Sequence, residues 1–228
     1  MTDRAPWEVH GSLTAAGFKR LYGEHQLLVL RGAAACDSCA WMSDPIIELQ
    51  RAFRVAPQMV TDSFTSESGS PRSAEELLGS SATSSLRKRK RKGSDSFYAS
   101  FIVQPSGGRT QFDAFLKAMP VAELLKCLRP SRHACGTVTQ ADAVWVFFGC
   151  GPVAGRAEHT DAVEHDGTWH VQCTGRKVWH LRPTDALLAA WSGGSNAGMQ
   201  RARDLGRLRI VMEAGDVLLL NTRLWHMS

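Results

Sequence analysis

The sequence contains no apolar run that approaches the roughly 20 residues needed to cross a bilayer, so no membrane association is expected. Its first residues, MTDRAPWEVHGSL, lack the apolar segment of a secretory signal, which favours an intracellular protein. Only 6 of the 228 residues are cysteine, and a disulfide framework is not expected in a chain of this length. Cys36 and Cys39 form a C-x-x-C pair without a second pair at zinc-finger spacing, so thiols are the favoured interpretation.

The sequence also has almost no excess of positive charge outside one short run. The formal net charge is +5, and the run RKRKRK from Arg87 to Lys92 supplies it, so the rest of the chain is close to neutral. The run fits a nuclear-localisation signal or a patch for anionic surfaces, and a solvated loop without a receptor is an equal alternative. Nucleic-acid binding through it is not favoured, because no aromatic residues are interleaved with it.

The chain is long enough for one substantial domain with a small appendage, and it shows no internal repeat. Between residues 62 and 96 the composition changes to serine, threonine, glycine and charged residues. A segment this polar cannot bury enough apolar surface to offset its ordering entropy, so we expect a disordered insertion with one short helix at Ser73–Leu78. The predicted organisation is an N-terminal helix and strand region at 1–61, the insertion at 62–96 and a core at 97–228.

Hydrophobic periodicity predicts helices and strands outside the insertion. The predicted helices cover Leu13–Leu21, Pro45–Phe53 and Gln111–Leu128, the last interrupted at Pro120. The predicted strands are Gln26–Leu30, Ser96–Gln104, Ala143–Phe148, Thr168–Cys173, Lys177–Leu181, Leu208–Met212 and Val217–Leu220. Helices followed by a run of short strands favour a helix-decorated β-barrel or sandwich, and the predicted fold class is mainly β with N-terminal and inserted helices.

Residues 157–183, AEHTDAVEHDGTWHVQCTGRKVWHLRP, contain four histidines. His159 and Asp161 form an H-x-D pair at the end of an extended segment, where side chains two apart point to the same face. An imidazole and a carboxylate there can converge on one metal ion. His165 and His170 are competing ligands. His165 is interpreted as part of a solvated turn, and His170 is left open between the pocket and the outer wall.

The C-terminal segment GDVLLLNTRLWHMS predicts a turn at Gly215–Asp216, a buried strand, a reversal near Asn221 and a return that contains His226. His226 would then be a third ligand from a distant strand. Two histidines and one carboxylate leave three positions of an octahedron open, which suits non-haem Fe(II) in oxygenases because a co-substrate and O₂ must both reach the metal. Nickel, cobalt or zinc could occupy the same site.

A tight glycine-containing turn leads into Lys177. A lysine that begins a barrel strand can lie inside the barrel, where it would hold the far carboxylate of a dicarboxylate co-substrate. Arg176 is the neighbouring alternative but should point to the opposite face, and Arg182 is a poorer one. Trp179 and Trp225 are interpreted as packing aromatics rather than as substrate platforms.

These motifs, in this order, resemble those of the JmjC and cupin-like 2-oxoglutarate oxygenases. The H-x-D pair is followed by Gly-x-Lys-x-Trp, and then by Gly-Asp-Val with Trp-His eleven residues after the glycine. The spacing from Gly215 to His226 is similar to that of the family pattern, and QLLVLRGAA looks like the segment with which these proteins begin. The resemblance spans most of the chain apart from the insertion.

The resemblance implies a double-stranded β-helix, the jelly-roll or cupin barrel, with ferrous iron, Fe(II), held at its open end by His159, Asp161 and His226. Lys177 would pair with the 5-carboxylate of 2-oxoglutarate, and Thr168 and Tyr98 are candidates for the hydroxyl groups that such enzymes add to that carboxylate. The implied activity is that of a dioxygenase. With O₂, it couples decarboxylation of 2-oxoglutarate to oxidation of a substrate C–H bond, as a hydroxylase or a demethylase.

Two positions depart from the family pattern. Asn221 stands where the family usually has proline, and the sequence stops two residues after His226, where family barrels continue into a further strand. Either the sequence is truncated there or the barrel is closed in another way, so a non-catalytic cupin-like metal-binding or interaction protein is the alternative function. The motifs do not specify the primary substrate, for which a protein side chain is favoured over a small molecule. The basic run mildly favours the nucleus over the cytoplasm.

Overall fold

The computed structural model describes residues 7–11, 13–34, 39–62, 78, 97–120, 141–150, 155–161, 167–182, 208–222 and 224–227. These residues form two compact units. The first contains the described residues within Met1–Ser43, Pro120–Thr139 and Ala157–Ser228, and the second contains those within Asp44–Met119 and Gln140–Arg156.

The described residues form a mixed fold of helices and sheets with substantial β content. The helices are α1 (Ala15–His25), α2 (Ala40–Ser43), α3 (Pro45–Val55) and α4 (Arg109–Ala118), with a 3-10 turn at Pro57–Met59. The strands are β1 (Glu8–His10), β2 (Leu27–Arg31), β3 (Val60–Asp62), β4 (Phe97–Val103), β5 (Val144–Cys150), β6 (Thr168–Val171), β7 (Arg176–Arg182), β8 (Leu208–Glu213), β9 (Val217–Leu220) and β10 (Trp225–Met227).

Two sheets face each other in the first unit. One has the strand order β1-β2-β9-β6 and the other has the order β10-β7-β8. Apolar residues from both sheets form one buried cluster, which contains Leu27, Val29, Trp179, Leu181, Ile210, Met212, Leu218, Leu220 and Leu224. We call the sheet faces that carry this cluster the interior faces. Within the described residues neither sheet closes on itself, so the closed double-stranded β-helix stays a prediction.

The outer face of the four-stranded sheet is covered by α1. Phe18, Leu21 and Tyr22 of this helix pack against a second apolar cluster that includes Leu28 and Leu30 of β2. Because β2 contributes residues to both clusters, all four of its leucine and valine side chains are buried, which explains its continuous apolar run.

The second unit contains the antiparallel sheet β3-β4-β5 together with α3 and α4. Asp44 begins α3 by accepting a hydrogen bond from the Ile47 N–H at 3.2 Å, and a proline follows it at the first helical position, where no N–H is needed. Leu49 and Phe53, one turn apart on α3, are both buried.

The predicted helix near Leu13, the helix at Pro45 and the seven predicted strands are confirmed with small shifts of their ends. The short elements β1, β3 and α2 were not predicted, since runs of three or four residues are too brief to show periodicity. The helix predicted at Gln111–Leu128 is present as α4, and its part beyond residue 120 lies outside the described residues.

Several predictions fall outside the described residues. These are the basic run Arg87–Lys92, nearly all of the insertion with its predicted helix, Cys36 and His165. The boundaries at 61 and 96 therefore stay predictions. Cys39 and Cys173 are thiols, and burial, followed by the neighbouring Cys39, raises the pKa of Cys173 to about 11. No helix in the described part of the chain is long and apolar enough to cross a membrane.

The Asp216 carboxylate joins the end of β2 to the turn between β8 and β9. It accepts hydrogen bonds from the Gly32 N–H at 2.9 Å, the Glu213 N–H at 3.0 Å and Arg31 Nη1 at 2.7 Å. Burial alone would raise the pKa of Asp216, but these hydrogen bonds outweigh burial and lower it. Gly215, with φ of +93°, supplies the left-handed conformation that the turn requires.

Replacing Asp216 with alanine should lower the free energy of unfolding by about 3 kcal/mol, because Arg31 loses a buried charged partner and two N–H groups lose their acceptor. Chemical denaturation followed by circular dichroism measures this change. The control Asp113→Ala removes an exposed carboxylate paired with Arg109 and should leave the midpoint almost unchanged.

The same variant tests the pH dependence of stability. Because the pKa of Asp216 is lowered on folding, its ionised carboxylate stabilises the folded state above the ordinary pKa of about 3.9, and this contribution is lost as pH falls through the lowered value. The difference between wild type and Asp216→Ala should be full at neutral pH and shrink below about pH 4. A difference that does not change with pH would contradict this account.

Candidate metal centre

Strand register brings three side chains to one face. His226 of β10 lies opposite Leu181 of β7. On its other side it pairs with His159, and each of the two histidines donates its N–H to the other's carbonyl at 2.9 Å. The Asp161 N–H donates to the Thr222 carbonyl at 3.0 Å, which holds the segment a second time against the residues before β10. Residues directly opposite each other, and residues two apart on one strand, share a face, so the three side chains converge.

The converging atoms are two imidazole nitrogens and one carboxylate oxygen. Nε2 of His159 and Nε2 of His226 lie 3.6 and 3.7 Å from Oδ1 of Asp161. All three ligand atoms lie within 4.8 Å of one another, and no other described residues form such a group of histidine, cysteine or acidic side chains. The His226 side chain is 2% exposed and the other two are 21% exposed, so the group is closed on one side and accessible on the other.

Backbone carbonyls set the tautomer of both histidines. Nδ1 of His159 lies 2.7 Å from the Ala157 carbonyl, and Nδ1 of His226 lies 2.8 Å from the Leu224 carbonyl. A carbonyl oxygen can only accept, so each Nδ1 carries the proton and donates it. Each Nε2 therefore presents a lone pair toward Asp161, which is the form of imidazole that binds a metal.

This donor set fits a divalent transition metal. With bonds of about 2.0–2.2 Å, two ligand atoms on one ion can be at most about 4.4 Å apart. Both nitrogen-to-oxygen separations satisfy this limit, and the two nitrogens lie within 4.8 Å of each other. Two imidazoles and one carboxylate suit Fe(II), and they also accept zinc, cobalt or nickel. His159, Asp161 and His226 could therefore hold the metal that the sequence predicts, with further coordination positions left for other ligands.

Lys177 lies on the interior face of β7. Lys177, Trp179 and Leu181 alternate along the strand, and Nζ of the lysine is 4.6 Å from the centroid of the Trp179 ring. The Trp179 ring centroid is in turn 5.9 Å from that of His226. The indole therefore contacts both the predicted co-substrate lysine and a predicted metal ligand, while Arg176 is exposed.

β6 adds two polar residues to the interior face of the other sheet. Thr168 and His170 lie opposite Leu220 and Leu218, which both belong to the interior cluster. The His170 ring centroid is 4.5 Å from that of Trp179. His170 thus lies inside the unit rather than on its outer wall. The sequence had left these two positions open.

The His170 ring is uncharged at neutral pH. Burial first, and then the Lys177 ammonium and electrostatic interactions with His226 and His159, hold the pKa of His170 well below its ordinary value. A neutral imidazole on this face can both donate and accept hydrogen bonds without adding to the charge of the centre.

Tyr98 belongs to the second unit. It lies on β4, and its ring stacks on Phe147 with the centroids 6.0 Å apart. Its predicted contact with the co-substrate stays a prediction.

An ion pair fastens the segment that carries His159. Arg182 at the end of β7 donates to the carboxylate of Glu158, the residue that precedes His159. Arg182 also follows Leu181, the partner of His226, so the pair ties two ligand-bearing segments to one strand. The sequence gives no sign of this role of Glu158, because no local pattern links two charges that are 24 residues apart.

Comparison with protein-family models finds no match to this chain, and comparison with curated proteins finds none either.

Replacing His226 with alanine should weaken Fe(II) binding by more than about 100-fold. Loss of a residue that only hydrogen-bonds to a metal ligand typically lowers metal affinity by about 10–100-fold, and loss of the ligand itself should cost more. Anaerobic isothermal titration calorimetry measures the affinity, with one ion expected per wild-type chain. The matched control is His180→Ala, because His180 lies on β7 and alternates away from the interior face. Equal affinity of wild type and His226→Ala would contradict the assigned ligand set.

Glu158→Gln and Arg182→Gln should each weaken Fe(II) binding by about tenfold, because the segment before His159 loses its attachment to β7. The exchanged pair, Glu158→Arg with Arg182→Glu, should recover most of the affinity. The same titration measures all four proteins. If each single variant bound Fe(II) as tightly as wild type, the ion pair would not position the ligand.

Proposed function

We propose that this chain is an Fe(II)- and 2-oxoglutarate-dependent oxygenase, a hydroxylase or a demethylase. The observation that supports this most is the grouping of two imidazole nitrogens and one carboxylate oxygen at His159, Asp161 and His226. Such a group leaves coordination positions for a chelating co-substrate and for O₂. The order of the sequence motifs supports the same function.

The proposal includes the fold. Two facing sheets with an apolar interior, and with the metal-binding group where β10 meets the segment 157–161, support a double-stranded β-helix.

The charges at the centre support an acidic co-substrate. A divalent ion with Asp161 and Lys177 has a net charge of about +2 when the histidines are neutral, which matches a dianion. At neutral pH 2-oxoglutarate is such a dianion. Its keto-acid end suits a metal, and its far carboxylate suits the ammonium of Lys177. The hydroxyl of Thr168 lies on an interior face and would donate a hydrogen bond to that far carboxylate. Tyr98 stays a candidate for a second such hydrogen bond.

Bound Fe(II) with 2-oxoglutarate and O₂ would supply the oxidising chemistry for a substrate C–H bond. The residues of this chain provide orientation and exclude water. His159 and His226 are oriented by their Nδ1–H bonds to carbonyls. Lys177 holds the far carboxylate through a charge-assisted hydrogen bond. The apolar interior around Trp179 keeps water away and strengthens these interactions.

The primary substrate, for which a protein side chain is favoured, stays a prediction because specificity resides in loops rather than in the core motifs. An intracellular and preferably nuclear setting stays a prediction as well. The preference for the nucleus rests on the composition of Arg87–Lys92.

Anaerobic titration of the purified chain with Fe(II) and 2-oxoglutarate tests the function. Chelation of Fe(II) by a keto acid gives a weak visible charge-transfer band, which we expect in the wild type. The band should be absent in His159→Ala, which lacks a metal ligand. In Lys177→Ala the 2-oxoglutarate concentration for half-maximal intensity should rise by at least about tenfold, because one charge-assisted hydrogen bond is lost. Arg176→Ala is the matched control and should behave as wild type.

Admission of O₂ then separates turnover from binding. Succinate should appear in step with the loss of 2-oxoglutarate. A charge-transfer band without succinate would instead support the non-catalytic metal-binding protein. Bound Fe(II) without the band would contradict a keto-acid co-substrate, and absence of bound metal would contradict the centre itself.

A further inference from the structure

Trp179 contacts three polar residues of the interior faces although it is only 4% exposed. Nζ of Lys177 lies over its ring at 4.6 Å from the centroid. The ring centroids of His170 and His226 are 4.5 and 5.9 Å away. One side chain therefore connects the lysine to a metal ligand.

Apolar packing alone does not require an indole at this position. The neighbours of Trp179 in the cluster are mainly leucine, isoleucine and methionine, so another large apolar residue would serve that purpose. An indole adds a negative π face, which attracts an ammonium group more strongly than any other aromatic side chain does. Because Lys177 and Trp179 are two apart on β7, the strand itself places the ammonium over the ring.

We propose that Trp179 is a positioning residue that sets which 2-oxo acids the centre accepts. Its ring holds the ammonium of Lys177 at a fixed distance from the metal ligands, so a 2-oxo acid binds best when its second carboxylate lies at the matching distance from its keto end. This inference rests on the proposed function. From the sequence alone Trp179 is interpreted as a packing aromatic, whereas here it would determine the length of the 2-oxo acid that binds best.

The test compares 2-oxoglutarate, the one-carbon-longer 2-oxoadipate and pyruvate, which lacks a second carboxylate. Affinities are measured anaerobically from the charge-transfer band, and Fe(II) affinity is measured by calorimetry. The variants are Trp179→Leu, Trp179→Phe, Lys177→Met and the double variant Trp179→Leu/Lys177→Met. Trp41→Leu is the matched control, because Trp41 is a buried tryptophan of the same unit that lies on α2.

Trp179→Leu should raise the Kd for 2-oxoglutarate about tenfold, and Trp179→Phe about threefold, since phenylalanine keeps a weaker π face. The ratio of the 2-oxoadipate and 2-oxoglutarate affinities should move toward one. The Kd values for Fe(II) and for pyruvate should stay unchanged, because neither ligand meets the ammonium. In the Lys177→Met background the leucine substitution should add nothing.

Three results would overturn the inference. They are unchanged affinity for 2-oxoglutarate in Trp179→Leu, equal losses for pyruvate and 2-oxoglutarate, and a full effect of the leucine substitution in the Lys177→Met background. If Trp179→Leu fails to fold, as judged by its circular dichroism, Trp179→Phe takes its place. The same affinities are then measured for Trp179→Phe alone and in the Lys177→Met background. A wild-type chain that binds Fe(II) but no 2-oxo acid would contradict the proposed function itself, which is a different outcome from the three above.

Discussion

The antiparallel pairing between the segment 157–161 and residues 222–226 is the constraint on which the candidate centre depends. Two hydrogen bonds between His159 and His226 set the register, and a slip of one residue would turn one ligand to the opposite face. The second ligand-bearing segment is held from several sides. Asn221 donates to Gln26 through both its backbone and its side chain, and β10 pairs with β7. Of the three candidate ligands, His226 therefore stands on a strand, and His159 is joined to it by an isolated two-residue bridge.

The interior faces of the first unit carry both apolar and polar side chains, which lie opposite each other on neighbouring strands. Leu218 and Leu220 of β9 lie in the apolar cluster, while their partners His170 and Thr168 on β6 bring polar groups to the same face. Burial keeps His170 neutral, and backbone carbonyls keep both candidate ligand histidines, His159 and His226, in the tautomer that can bind a metal. With a divalent metal bound as we propose, the net charge at the centre would depend on that metal, the Asp161 carboxylate and the Lys177 ammonium. This is the physical basis for expecting an anionic ligand.

Sequence patterns predicted the helices and strands, and the grouping of His159, Asp161 and His226, better than the long-range contacts between elements. Alternation alone indicated that His159 and Asp161 share a face and that Lys177 and Arg176 do not, because each pair lies within a single extended segment. The position of His170 could not be predicted, since the face it takes depends on the register of β6 against β9. The network of Asp216 with Arg31 was missed for a related reason. The sequence indicated a turn at this aspartate, but hydrogen bonds between residues 185 positions apart leave no local signal.

X-ray absorption at the iron edge of the Fe(II)-loaded chain tests the central claim most directly. The account predicts a first shell of nitrogen and oxygen atoms only, with outer-shell scattering from two imidazole rings, and one ring fewer in His226→Ala. A sulfur atom in the first shell would assign the metal to one of the six cysteines instead. That result, or a wild-type spectrum without imidazole scattering, would contradict a centre built from His159, Asp161 and His226.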